Sequence, residues 1–422
     1  MAILFDGIAR RAAPRAPFCG RIARMLIRVV GKGTFLFALL FAAACDPGNG
    51  EGPAGPGTGS GGGATAGDGG GGTQVDGSGG GPGSGCTEFV MPTGVNCDAP
   101  IDGALPVDLR CTGLYGDFDR REPACGVLEY KPAIELWSDG AAKRRWVSIP
   151  AGQKVDASNP DAFVYPEGTQ FWKEFQVQGA DGAMRLAETR LLRKTPDGWL
   201  YTSYVWSEDG REAIQMQNDT GVVDLYGTGH TVPTRDQCKE CHSGRGDYVL
   251  GWDALMLGPG AEGLTREKLV EAGLMDGGSH LALSIPGDEV ERLALGYMHA
   301  NCGVSCHNDS VDAPARDTGL YLRLEAADLG SVATTDAVTT GINRRPADNA
   351  KYEGLENTDP SYWYDIRPGD PARSLLVARQ ELRGFEGQMP RIGTHKVDEA
   401  GVQAVVRWIE GMTEASYPPP GP

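Results

Sequence analysis

Apolar and polar positions are arranged differently in four stretches of this chain. Residues 35–44 form an unbroken apolar run, Phe-Leu-Phe-Ala-Leu-Leu-Phe-Ala-Ala-Ala. In residues 48–85 the pattern vanishes, because 20 of these 38 residues are Gly and Val75 is the only large aliphatic. Such a stretch cannot bury enough apolar surface to offset the entropy of ordering it, which predicts a flexible linker. From about Tyr130 to Asp224 the period is two. Residues 171–178 and 184–191 alternate in part, and residues 199–206 (WLYTSYVW) are rich in strand formers. Pro196-Asp197-Gly198 joins two of these runs as a turn. This predicts an antiparallel β module, a small sandwich, with its Trp and Tyr side chains in the core. Beyond residue 288 the period lengthens. Val290, Leu293, Tyr297 and Met298 fall at helical spacing behind an acidic first turn. Asp370 as N-cap and Pro371 at the first helical position predict another helix. In residues 398–412, Val402, Val405, Val406, Ile409 and Met412 share one apolar face. The fold class is therefore α+β and multidomain, a sandwich-like β-rich module followed by a mainly α-helical part.

Charge narrows the partners. The 422 residues carry 39 Lys and Arg against 56 Asp and Glu, a formal charge of −17. Residues 1–45 hold seven of the basic groups and one Asp, so the rest of the chain stands at −23. Phosphate binding needs clustered Lys and Arg, so nucleic acid is excluded as a partner. A basic redox partner or a small molecule is compatible with this balance.

The N-terminal run reads as an export signal. Arg28 and Lys32 precede the apolar stretch and small residues close it. The run is too short to span a bilayer, which needs about 20 residues. Met25 is the expected start, with residues 1–24 an over-extended reading frame. Ala43-Ala44-Cys45 resembles the lipobox of bacterial lipoproteins, which implies acylation of Cys45, with Ala42 standing where Leu is usual. The Gly-rich tether would then hold the body roughly 30–40 Å from a membrane as a random coil. The alternative is cleavage near Ala44 and a soluble secreted product. Either way the chain enters an oxidising compartment, periplasm or cell envelope.

The ten cysteines sort accordingly. Cys19 precedes or lies within the signal. Cys86, Cys97, Cys111 and Cys125 open the globular part and allow three pairings. Loop length favours Cys86–Cys97 and Cys111–Cys125. The last four form two pairs, each followed by His: Cys238-Lys-Glu-Cys241-His242 and Cys302-Gly-Val-Ser-Cys306-His307. C-x-x-C-H is the attachment signature of c-type haem. Each thiol adds to one vinyl group, and the adjacent imidazole faces the iron as proximal ligand. Haem c, one or two per chain, is the expected cofactor, the second motif carrying an extra residue. Three alternatives stand beside it. Zinc wants four protein ligands, and one four-thiolate site would not explain the His after both pairs. A thioredoxin-like pair needs a βαβ context and has no use for the His. A local Cys302–Cys306 disulfide competes at the second motif.

Two resemblances extend this. From about Asp288 to Thr413, a helix leading into the Cys302 motif, the Gly387-Gln388-Met389-Pro390 loop and a closing amphipathic helix resemble the cytochrome c fold. That implies Met389 as distal ligand of the second haem. The phrases Leu136-Trp-Ser-Asp-Gly140, Glu188-Thr-Arg190, Val205-Trp206, the Cys238 motif and Leu250-Gly251 are similar to a group of exported bacterial c-type cytochrome-like proteins. The resemblance spans about Cys111 to Thr413 and implies a di-haem electron carrier. The organisation becomes 1–45 signal and lipobox, 46–85 linker, 86–228 disulfide-stapled β module, 229–287 first haem-binding segment and 288–422 cytochrome c-like domain. For the distal ligand of the first haem, His230 is the first choice and Met256 the second, with His280 and His299 behind them. The expected function is one-electron transfer without catalysis. The alternative is a di-haem peroxidase or the electron-entry subunit of a periplasmic oxidoreductase.

Overall fold

The partly alternating runs become the middle of a single antiparallel sheet. A computed structural model describes residues 86–97, 105–216, 220–277 and 283–417, all within one unit, Ser78–Pro422. The expected signal, Cys19, Cys45, the Gly-rich stretch and His280 lie outside the described residues. Two short strands come first, β1 (Tyr115–Asp117) and β2 (Glu122–Pro123), paired with each other. The main sheet is built from β3 (Val127–Lys131), β4 (Ala142–Ser148), β6 (Gln170–Gln178), β7 (Met184–Thr195), β8 (Gly198–Trp206), β9 (Ala213–Gln215) and β10 (Glu262–Gly263). Its order is β10-β3-β4-β6-β7-β8-β9 and every pairing is antiparallel. The last pair of strands, β5 (Val155–Asp156) and β11 (Met275–Asp276), run parallel beside it.

The expected sandwich is not there. The second layer on each face is mostly loop, joined on one face by Val155 of β5, Met275 of β11 and Leu269 from a short helix. One face sets Trp146, Trp172, Leu191, Tyr204 and Trp206 against Leu105, Leu109, Leu114 and Tyr115. The other sets Val147 and Phe171 against Phe163, Tyr165, Trp252 and Leu257 at one end. At its far end Phe175 and Val177 pack on Leu225 and Val232. Trp146, Trp172, Trp206 and Trp252 are fully buried, as core aromatics should be.

The four early cysteines are all in disulfides, but the pairing is nested: Cys86–Cys125 and Cys97–Cys111. Loop length misleads because backbone pairing decides. Thr87 bridges Ala124, and the Cys125 amide donates to the Thr87 carbonyl at 3.0 Å, which sets Cys86 beside Cys125. The bonded residues lie 39 and 14 positions apart in the chain. Chain-entropy arithmetic assigns about 4 and about 3 kcal/mol to such loops. Mass spectrometry of the unreduced digest is expected to recover the Cys86–Cys125 peptide. Cys86→Ser with Cys125→Ser is expected to lower the denaturant midpoint more than opening the inner pair.

On the helical side, α1 (Arg235–His242) and α2 (Arg266–Glu271) precede α3 (Glu289–Met298). In α3 a capping box holds the start: the Asp288 carboxylate accepts from the Glu291 amide (3.0 Å) and Glu291 accepts from the Asp288 amide (2.7 Å). The closing helix α5 (Glu399–Gly411) buries Val402, Val405, Trp408 and Ile409 against Leu295 and Met298 of α3. A Cβ at Gly401 would lie 2.0 Å from the Tyr297 ring, so the two helices meet there only because residue 401 is Gly. Asp370-Pro371 starts a 3-10 turn (Pro371–Arg373) rather than the expected helix. The helix α4 (Leu375–Glu381) begins after Ser374, and the Asp370 side chain makes no cap bond.

Asp365, buried beside α4, is lifted by burial to about 7, with Arg379 opposing. A carboxyl with a raised folded pKa loses stability as pH rises from its unfolded value, 3.8, to about 7. The slope is at most about 1.4 kcal/mol per pH unit, and the penalty is constant above that window. Asp365→Asn is therefore expected to be more stable than the parent at pH 8 and equal to it near pH 3.5, read from denaturant midpoints at both values.

Candidate functional site

The first Cys pair sits on α1. Thr234 caps the helix, accepting from the Gln237 amide at 3.2 Å, while Gln237 accepts from the Thr234 amide at 3.0 Å. A helix this firmly started puts Cys238 and Cys241 one turn apart on one side and His242 at its last position. The chain then turns through Tyr248, whose backbone is left-handed (φ 59°). The Tyr248 carbonyl accepts from Nδ1 of His242. A carbonyl can only accept, so the proton is on Nδ1 and the lone pair of Nε2 is exposed for a metal.

The second pair repeats this with one more residue. A wide turn, His299–Gly303, follows α3. Both the Cys306 amide (3.2 Å) and the His307 amide (2.9 Å) donate to the Cys302 carbonyl. The second of these closes a ring one residue wider than an α-turn, which absorbs the extra residue of C-x-x-x-C-H. His307 Nδ1 donates to the Leu320 carbonyl at 3.1 Å, so here too Nε2 carries the lone pair. Burial pulls both imidazoles down to about 4, against the pull of their carbonyl partners, so both rings are neutral at pH 7. Burial pushes the thiols of Cys241 and Cys302 up to about 12, with the charge of Cys306 adding to it. All four motif cysteines are thiols, and no Cys302–Cys306 disulfide forms.

The two motifs abut. A Cβ at Gly244, two residues after His242, would lie 1.9 Å from the carbonyl oxygen of Ser305, inside the second motif. Ser243 Oγ donates to the Asp312 carbonyl at 3.3 Å, and Arg391 pairs with Glu240 at 2.7 Å. Close as they are, no three His, Cys, Asp or Glu side chains among the described residues gather as a metal site. The four thiols are therefore not arranged as one zinc site. Each motif separately fits haem c, with two thiols a turn apart, a neutral imidazole and a lone pair on Nε2.

The distal candidates are placed unequally. His230 is buried, with Nε2 2.9 Å from Glu188 Oε1 and its ring 5.6 Å from Phe175. His299 accepts from the Leu324 amide through Nδ1 at 3.0 Å, and its Nε2 faces Asp253 at 3.5 Å. Both rings are thus engaged by the protein. Met256 is fully buried, its amide donating to Asp253 Oδ1 at 2.9 Å. Met389 is partly exposed, and its amide donates to the Arg379 carbonyl at 2.8 Å. Its loop is clasped to the β module by Asp139, which accepts from the amides of His395 (2.8 Å) and Lys396 (2.9 Å). Trp137 adds an indole bond to the Lys396 carbonyl at 3.2 Å. The phrase Leu136-Trp-Ser-Asp-Gly140 is the clasp that holds this loop.

One part of the site escaped the sequence reading. A cavity lined by Arg190, Leu191, Leu192, Tyr201, Thr202, Cys238 and His242 joins the sheet to the first motif. The sheet beneath carries Arg145, Lys173 and Arg190 in register on neighbouring strands. Basic residues inside apolar strand runs, Lys173 between Trp172 and Phe175 above all, were the available signal. No protein-family model, no curated protein and no solved structure matches the chain.

Proposed function

We propose that this is an exported c-type cytochrome carrying two covalent haems, one on Cys238, Cys241 and His242, the other on Cys302, Cys306 and His307. The observation that carries the reading is the repeated arrangement of two thiols and a His whose Nδ1 donates to a backbone carbonyl. Metal-bound His residues almost always use the second nitrogen in this way, because it fixes the ring and raises its basicity. The bound haem supplies one-electron Fe(III)/Fe(II) chemistry. The chain's own residues orient the two imidazoles, hold them neutral and keep the two attachment segments in contact. Met389, in the loop clasped by Asp139 and Trp137, is the proposed distal ligand of the second haem, where a thioether raises the potential. The cytochrome c-like character of the α3–α5 region belongs to this proposal.

Two disulfides are compatible with an exported protein. No described helix is long and apolar enough to cross a membrane. Acylation of Cys45 and anchoring through the Gly-rich linker complete the proposal. A net charge of −17 suits a basic redox partner, steered most strongly at low salt. The test is a pyridine haemochrome spectrum with protein quantification, after export alongside a haem-maturation system. Two haems per chain is the expected result, one removes the Cys302 motif from the proposal, and none overturns it.

A second reading, a di-haem peroxidase or an electron-entry subunit, rests on one observation. His230 is held by Glu188 and His299 by Leu324, which leaves the first haem without a free His ligand from these two. Carbon monoxide binding to one of two reduced haems supports this reading, and its failure to bind supports the carrier with Met256 as ligand.

A further inference from the structure

We infer that Arg145, Lys173 and Arg190, a row of cations crossing three neighbouring strands, holds the two carboxylates of the haem attached at Cys238 and Cys241. This rests on the two-haem reading. Arg145 lies opposite Lys173 in the pairing of β4 with β6, and Lys173 lies opposite Arg190 in the pairing of β6 with β7. Directly opposed like charges destabilise a sheet. Here they are also enclosed between two apolar clusters, Val147 and Phe171 on one side and Phe175 and Val177 on the other.

The row is short of negative charge. Lys143, two positions from Arg145 on β4, shares Glu135 with it, at 3.8 and 3.1 Å. Arg190 grips Glu188 with two bonds, 2.6 and 3.0 Å. No carboxylate among the described residues pairs with Lys173, whose ammonium instead sits 4.9 Å from the centre of the Phe175 ring. One guanidinium nitrogen of Arg145, Nη1, is buried without a partner. Four cations thus share two paired carboxylates, with Asp398 adding only a more distant pull on Lys143, so the row carries an excess of positive charge in a chain of net charge −17. Burial and the neighbouring cations push the Lys173 ammonium well below its ordinary range, and push Lys143 down to about 8. Such a row is relieved either by a lysine giving up its proton or by a counter-charge that lets it stay ionised.

Haem c brings two carboxylates, the missing charge. They lie on the edge of the macrocycle opposite the thioether bonds. Arg190 lines the cavity at Cys238 and His242. At a strand spacing of about 4.8 Å, Lys173 and Arg145 lie about 5 and 10 Å farther along the sheet from that wall. Arg190 is therefore the member at the attachment end, already gripped by Glu188, while Lys173 and Arg145 are set away from it, toward the carboxylate edge of such a ligand.

The test uses the full chain matured with haem. Lys173→Met removes the bare cation without adding a polar group, and Lys173→Arg keeps the charge. A cation near the ring favours the reduced state. Lys173→Met is therefore expected to lower one of the two midpoint potentials and leave the other in place, while Lys173→Arg keeps both. Resonance Raman propionate bands are expected to shift in Lys173→Met alone. Melting temperature gives a second readout. Lys173→Met should lower it in the loaded chain but raise it when Cys238 and Cys241 are both replaced by Ala, where the cation has no counter-charge. Potentials and bands unchanged in a parent with two haems would overturn this inference alone, as would the same sign of melting shift in both backgrounds. A parent without haem on Cys238 and Cys241 would overturn the two-haem reading itself.

Discussion

Replacing Cys238 and Cys241 together by Ala is expected to remove one of two haems from every chain and leave the fold standing. Both thiols project from α1, whose start is fixed by the Thr234 and Gln237 cap rather than by the cysteines. Neither lies in a disulfide, so their loss leaves Cys86–Cys125 and Cys97–Cys111 intact. The measurement is haem per chain from the pyridine haemochrome, expected to fall from two to one. Cys302→Ala with Cys306→Ala should remove the other haem, and the two double variants together should remove all haem absorbance. Retention of two haems in either double variant would contradict covalent attachment at that motif.

Glu188→Ala is expected to cost about 3–5 kcal/mol, the range for removing one partner of a buried ion pair. Glu188 is fully buried and bonded to both Arg190 and His230. Burial pushes its carboxyl up, but Arg190 and His230 outweigh that and hold it at about 2. The group is therefore ionised at neutral pH, and its loss leaves the guanidinium of Arg190, 25% exposed, without its carboxylate. A folded pKa below the unfolded 4.5 gives stability that is complete above that value and is lost as pH falls toward 2. The gap between parent and variant in denaturant midpoint should accordingly be widest at pH 7 and narrow below pH 4.5. A variant as stable as its parent at pH 7 would mean the pair contributes nothing to the fold.

The sequence made the middle of the sheet and the two long helices legible for different reasons. Residues 171–178, 184–191 and 199–206 fall within β6, β7 and β8, because alternation and strand formers act locally. The turn at 196–198 joins β7 to β8 as expected. The acidic start at Asp288 and the apolar face of 398–412 became α3 and α5 through caps and periodicity, which are also local signals. What stayed hidden depends on distant partners. The Lys-Arg-Arg run hid β4, since charged residues read as solvent-facing while Arg145 is almost fully buried. Disulfide pairing depended on Thr87 meeting Ala124 across the fold. Single sheet or sandwich depended on what covers each face, and that cover is mostly loop without a pattern. The two motifs were legible by spacing alone. Their contact through Gly244 and Ser305, and the partners that engage His230 and His299, were not.

The nested disulfides also set a mechanical load path. Cys86 is the first described residue, and its partner Cys125 lies two residues before β3. Any tension arriving through the preceding chain crosses the Cys86–Cys125 bond and enters the sheet directly at β3. The 39-residue detour between them, with its inner Cys97–Cys111 ring, carries none of that force. Force applied ahead of Cys86 is therefore taken up by the main sheet, and the stapled leading segment stays slack while the bond is oxidised.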